Sequence, residues 1–268
     1  MKNYLLLSLI SFALTLPLVS CSKSEISGSQ NGTIEPLKSA PLVGATVKTL
    51  SFSGYTWYVK SGKGMGPGPN NWNENNVWVD ANGKLHMQIK YSATTKKWEC
   101  SEVWTTTSLG FGKYEWFVEG RIDQLDKNVV VGLFNYPTAN VGPDGTNEID
   151  IEFAKWGNKN SKMGNFTIWP AQLGYTYSSF PYAISLTGTY TTHRFTWSST
   201  SIFFQSLNGW RTDDTNIIST KTFAPAVNTS SLIPQSAEPV HMNLWLFKGI
   251  APSNNKTVEV IFSKFQKY

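Results

Sequence analysis

Residues 147–153 read Asn-Glu-Ile-Asp-Ile-Glu-Phe, and a strict two-residue period sets Glu148, Asp150 and Glu152 on one face of a strand with Ile149, Ile151 and Phe153 on the other. Three like charges on one face work against folding, while the apolar face pins the register, so the pattern needs a reason other than stability. Acid/base chemistry supplies one. At about 3.3 Å of rise per residue, positions i and i+4 stand roughly 13 Å apart at Cα, so Glu148 and Glu152 come together only if they lean inward on a curved sheet. Carboxyls about 5 to 5.5 Å apart can split a glycosidic bond with retention, one attacking the anomeric carbon and the other protonating the leaving oxygen. Asp150, placed between them, would raise the pKa of a neighbouring Glu and keep one acid protonated. A solvated outer face and a calcium site fit the same three acids. The mid-strand setting, without a Gly-containing turn, weakens the calcium reading.

The elements that must hold these acids are strands. Val77-Trp78-Val79, the turn Asp80-Ala81-Asn82-Gly83 and the alternating run Lys84 to Ile89 form a hairpin signal. Short β-runs follow at Lys113–Ile122, Val129–Phe134, Ile149–Phe153, Asn165–Trp169, His193–Trp197, Ile202–Leu207, His241–Phe247 and Val258–Phe265, and helical periods are nearly absent. The pattern predicts an all-β fold, two antiparallel sheets packed as a sandwich or jelly roll. Gly64 to Asn71 has too little side chain to pack and reads as a loop at a sheet rim.

The first twenty residues read as a targeting segment: Lys2, an apolar run from Leu5 to Leu16, then Leu18-Val19-Ser20 leading into Cys21. This resembles a bacterial lipobox, which implies lipidation at Cys21 and a domain anchored in the cell envelope, at the outer membrane or cell surface. An ordinary secretory leader is the alternative. Residues 21–40 read as a flexible tether and 41–268 as one β-domain. Removing residues 1–20 takes away Lys2 and no acid, so 22 basic and 18 acidic residues leave a net charge of +4. The basic residues are scattered singly, which argues against a nucleic-acid partner. Cys100 is then the one cysteine besides Cys21, and it reads as a buried, inert thiol.

With these residues in view, the chain resembles glycoside hydrolase family 16, and within it the bacterial lichenases. Glu148-Ile149-Asp150-Ile151-Glu152 matches the family's catalytic pattern; Trp98 to Glu102, Gly110 to Glu115 and Met242-Asn243-Leu244-Trp245 follow its order of strands. The resemblance implies a curved jelly roll with an open concave glycan-binding cleft, and a monomer that needs no cofactor. It implies Glu148 as nucleophile, Glu152 as general acid and then base, and Asp150 as the group that tunes them. Glu102 and Asn243 match positions that bind sugar hydroxyls, Trp245 an aromatic that meets a sugar ring, and Trp169 offers a further platform. The substrate implied is a polysaccharide, foremost a β-1,3- or mixed-linkage glucan, with xyloglucan, marine galactans or binding without cleavage as the alternatives. The chain also departs from the lichenase pattern. Trp104 stands where lichenases carry Arg, Gly145-Thr146 where they carry Trp, and Ile261 where some relatives place a calcium-binding Asp, so calcium is possible but unsupported.

Overall fold

The computed structural model describes residues 47–268; the expected leader, the lipidation at Cys21, the tether and the domain start at residue 41 lie outside the described residues. One layer runs, in spatial order, β1 (Thr49–Phe52), β2 (Tyr55–Val59), β7 (Lys97–Thr105), β16 (Val240–Leu246), β9 (Val129–Asn135), β10 (Glu148–Ala154), β11 (Gly164–Trp169) and β12 (Ser178–Tyr182), all antiparallel. The second runs β5 (Val77–Val79), β6 (Leu85–Ser92), β17 (Val258–Lys267), β8 (Gly112–Glu119), β13 (Tyr190–Trp197), β14 (Ile202–Asn208) and β15 (Ile217–Phe223). A pairing of β6 with β7 joins the layers, and β3 (Gly62–Met65) and β4 (Asn70–Trp72) attach beside it through β7. The joined ladder curves nearly into a barrel, as a jelly-roll sandwich does.

Alternation decides what lies between the layers. Ile149, Ile151 and Phe153 of β10 share the inner face with Val131, Leu133, Met242 and Leu244, and all are buried. Trp116, Phe195, Phe204 and Trp197 fill the same core, where large aromatic rings contribute most of the apolar burial. The core also holds a polar chain: Tyr182 Oη meets Ser206 Oγ at 2.6 Å, Ser206 Oγ meets His193 Nδ1 at 2.9 Å, and His193 Nε2 meets Thr191 Oγ1 at 2.9 Å. Burial pushes His193 down to about 3, so it is neutral at physiological pH. Its ring lies 4.5 Å from that of Phe153, on the back of the acid-bearing strand.

The expected hairpin closes with Val79 opposite Leu85, and Gly83 N donates to Asp80 O at 3.0 Å. Two residues expected at strand ends lie outside the sheet. Ile122 and Phe247 belong to 3-10 turns rather than to the strands before them, because the chain bends there to leave the sheet. The stretch Gly64 to Asn71 is not wholly a loop either: its ends pair within β3 and β4, since Asn70 Nδ2 donates to Pro67 O at 2.7 Å and Leu246 O at 2.9 Å and fastens the turn to the sheet. Strands β1, β2, β12 and β15 carry no strong alternation and were not expected. Cys100 is buried as expected, its thiol pushed up to about 12 by burial.

Gly164 shows how tightly the layers close. A Cβ there would run into the Tyr182 ring, which crosses it from the neighbouring strand. Gly164→Ala is expected to cost about 1–3 kcal/mol through overpacking. Urea unfolding checks this, and an unchanged midpoint would contradict it.

Candidate active site

The acid-bearing strand starts from a fixed point. Asn147, at φ 51°, adopts the left-handed conformation that Asn tolerates, and its Nδ2 donates to Thr146 Oγ1 at 3.1 Å and Ala171 O at 3.0 Å. From there Glu148, Asp150 and Glu152 project from the outer face of the first layer, as their alternation predicts. Glu148 and Asp150 are 2% and 3% exposed, whereas Glu152 is half-buried, so the third acid is the most open to a ligand.

Cross-strand register places their neighbours. Glu152 stands opposite Gly132, and Gly132 opposite Asn243, which is opposite Glu102. A Cβ on Gly132 would come within 2.5 Å of Asn243 Oδ1, so the missing side chain is what lets Asn243 lie over β9 toward the acids. One step along, Asp150 faces Phe134, followed by His241, Trp104 and Tyr58. Trp104 and His241 stack at 5.8 Å with 11° between planes, and Phe134 lies 5.0 Å from His241 on the other side. On the opposite flank Glu148 pairs with Trp169, whose Nε1 donates to Asp150 Oδ2 at 3.1 Å. The Trp169 ring packs on Tyr177 at 4.6 Å and approaches the Cβ direction of Gly145 at 3.9 Å. It therefore occupies space beside the stretch where the lichenase pattern has its own Trp.

Glu102, for which the resemblance implies a sugar-binding role, is held by two neighbouring side chains. Both of its oxygens are engaged: Lys60 Nζ reaches Oε2 at 2.7 Å, and His241 Nδ1 reaches Oε1 at 3.1 Å. Burial alone would raise its pKa, but the charge of Lys60 and the bond from His241 outweigh that and hold the carboxyl below its ordinary range. Lys60 in turn donates to Gly66 O at 2.7 Å and lies 4.1 Å over the Trp72 ring. Trp245 is on the same face but only 4% exposed, against Trp156 at 6.3 Å. Sequence reasoning missed Lys60 and His241. The signal for His241 was its place two residues before Asn243, hence on the same face; Lys60 follows a strand too short to show a period. Among the described residues no group of three or more His, Cys, Asp or Glu is placed to hold a metal ion.

No protein-family model matches the chain, and no curated protein does. Solved structures do. A Bacillus licheniformis β-glucanase aligns over 79% of this chain and 91% of its own at 22% identity, with a TM-score of 0.57. A prokaryotic β-1,3-1,4-glucanase (lichenase) from a mouse hindgut metagenome covers 79% and 92% at 19% identity, TM-score 0.56. A Bacteroides ovatus family 16 structure covers 79% and 94% at 15% identity, TM-score 0.60. The chain shares the fold of these proteins.

The Lys60–Glu102–His241 group generates a stability prediction. Lys60→Met strips a buried carboxylate of its nearest cation and should cost about 3 kcal/mol at neutral pH. Because Glu102 has a lowered folded pKa, the stability it contributes is present above its unfolded pKa and is lost as pH falls through the folded value. The difference between wild type and Lys60→Met should therefore shrink as the pH drops below the ordinary carboxylate range. Denaturant unfolding at several pH values reads it, and a pH-independent difference would refute the assignment.

Proposed function

We propose that this chain is a glycoside hydrolase of family 16, a retaining endo-β-glycanase acting on a β-1,3- or mixed-linkage β-glucan. The observation that carries the reading is the outer face of β10, where Glu148, Asp150 and Glu152 stand in register with Gly132, Asn243 and Trp169. Glu148 attacks the anomeric carbon while Glu152 protonates the bridging oxygen; Glu152 then takes a proton from the water that releases the sugar. The half-buried setting of Glu152 suits a group that must meet both the leaving oxygen and water. Trp169 holds Asp150 through its indole N–H, so Asp150 is oriented between the two. Asn243 offers a polar contact to sugar hydroxyls, and Trp245 borders the same face.

The solved structures support the substrate class. The first two are a β-glucanase and a lichenase by name, and the Bacteroides ovatus protein is a mixed-linkage glucan family 16 structure in complex with a G4G4G3G product. The lipobox-like segment ending at Cys21 supports an envelope-anchored lipoprotein that works on polymers outside the cytoplasm.

Reducing-end release by residues 41–268 against lichenan, laminarin, xyloglucan, agarose and carrageenan tests the reading. Lichenan or laminarin should be cut, and Glu148→Gln or Glu152→Gln should lower turnover by several orders of magnitude with unchanged melting behaviour. Near-wild-type release in either variant would end the assignment of roles. Binding of insoluble glycan without release from any polymer would make the chain a glycan-binding protein instead.

A further inference from the structure

Glu238 is a carboxyl that the proposed reaction does not use. It lies in the segment leading into β16, fixed at the backbone by Leu109 N to Glu238 O at 2.8 Å and Glu238 N to Leu109 O at 3.0 Å. Its side chain turns into the core and is fully buried. Asn135, also fully buried, ends β9 with its side chain on the inner face, directly between Ile149 of β10 and Val240 of β16. Asn135 Nδ2 donates to Glu238 Oε2 at 2.6 Å. The two remaining oxygens, Asn135 Oδ1 and Glu238 Oε1, are both buried and neither has a donor among the described residues.

A carboxylate and an amide side by side bring one donor pair and three acceptor oxygens, so the second contact of the pair cannot form between Oδ1 and Oε1 without one more proton. An ionised Glu238 would be a buried charge with a single hydrogen bond, which is severely penalised. The neutral acid solves both problems: its O–H donates to Asn135 Oδ1 while its other oxygen accepts from Nδ2. We propose that Glu238 is held as a neutral acid in a closed acid–amide pair with Asn135, and that this pair positions the start of the acid-bearing strand.

The charges around it agree. Its pKa is raised to about 9, chiefly by burial and in the same direction by the negative charge of Glu148, against the opposing pull of the Asn135 bond. Tyr114 of β8 also faces this group; its hydroxyl donates to Gly110 O at 2.5 Å, and burial raises its ionisation, so it stays neutral and brings no cation to Glu238. No cation forms an ion pair with Glu238 among the described residues. A negative Glu238 would thus add a second charge behind Glu148, whereas the neutral acid adds none.

Glu238→Gln is the decisive variant because a Gln amide reproduces both hydrogen bonds and cannot ionise. A raised folded pKa means that the stabilisation is fully present below the ordinary value of 4.5 and is lost as pH rises through about 9. Urea unfolding of the full chain should show the wild-type folded-to-unfolded ratio falling relative to Glu238→Gln by up to about tenfold per pH unit inside that window. Parallel profiles, or a Gln variant that does not fold, would overturn the protonation state. A protonated-carboxyl infrared band at pH 7 that vanishes in Glu238→Gln is the second readout; its absence from wild type overturns the proposal equally. The positioning role rests on the glycanase reading. On a hydrolysed glucan, Glu238→Ala should lose at least tenfold in kcat with KM little changed, and Gln should recover it with the alkaline limb of the pH profile moved upward. Equal losses in Ala and Gln would refute positioning, and the unfolding comparison stands even if no glucan is cut.

Discussion

Three of the carboxylates on the outer face of the first layer have almost no water, and most of the surrounding arrangement follows from that. Glu102, Glu148 and Asp150 are 5%, 2% and 3% exposed, although they lie on the side of the sheet turned away from the core. A buried charge costs several kcal/mol unless hydrogen bonds or a counter-charge compensate it. Lys60 and His241 compensate Glu102, and the Trp169 indole serves Asp150. The same exclusion of water strengthens each electrostatic contact at the site, which is the setting in which fixed dipoles act most strongly on developing charge.

The back of β10 carries the opposite constraint. Ile149, Ile151 and Phe153 cannot leave the core, so a one-residue slip of this strand is forbidden and the three acids cannot turn inward. Rigidity comes from both faces at once. Gly132 and Gly164 flank β10 on neighbouring strands, and each gives up a side chain so that a larger group crosses it: Asn243 outside, Tyr182 inside. The Tyr182 hydroxyl then ties into the Ser206–His193–Thr191 chain, whose His193 ring lies against Phe153. A neutral His193 in the core and a neutral Glu238 at its edge let these polar groups sit among apolar ones without net charge.

Much of this was legible in the sequence because a two-residue period is a direct statement about faces. The acids of β10 and the Asn243–Trp245 stretch alternate strongly and form strands, the Val129 run is a continuous apolar strand, and the turn at Asp80–Gly83 joins the strands on either side of it. What alternation cannot show is which distant strands lie side by side. Lys60 meets Glu102, and Asn135 meets Glu238, across 42 and 103 residues of chain. Neither Lys60 nor Glu238 lies in a patterned run. The alternation of β7 and β16 makes Glu102 legible as a residue of this face but not its surroundings, since Lys60 and His241 reach it from distant parts of the chain.

That filling bears on how the chain departs from the lichenase pattern. The resemblance expects an Arg where Trp104 stands, and an Arg there would bring a cation beside Glu102. Here the cation comes from the residue after β2, as Lys60, and the vacated position holds an indole stacked on His241. The two changes are coupled through Glu102: His241 Nδ1 bonds Oε1, so the imidazole has one orientation, and the Trp104 ring packs flat against it. On the glycanase reading, a sugar passing along this row meets the partly exposed Tyr58 and Trp104 rings, backed by the buried His241 and Phe134, rather than a guanidinium. Such an aromatic wall favours the C–H surfaces of neutral pyranoses, and the cation beside it, Lys60, is already neutralised by Glu102 rather than offered to a sulfate, and that is the physical argument for placing a neutral β-glucan, not a charged galactan, beside Glu148 and Glu152.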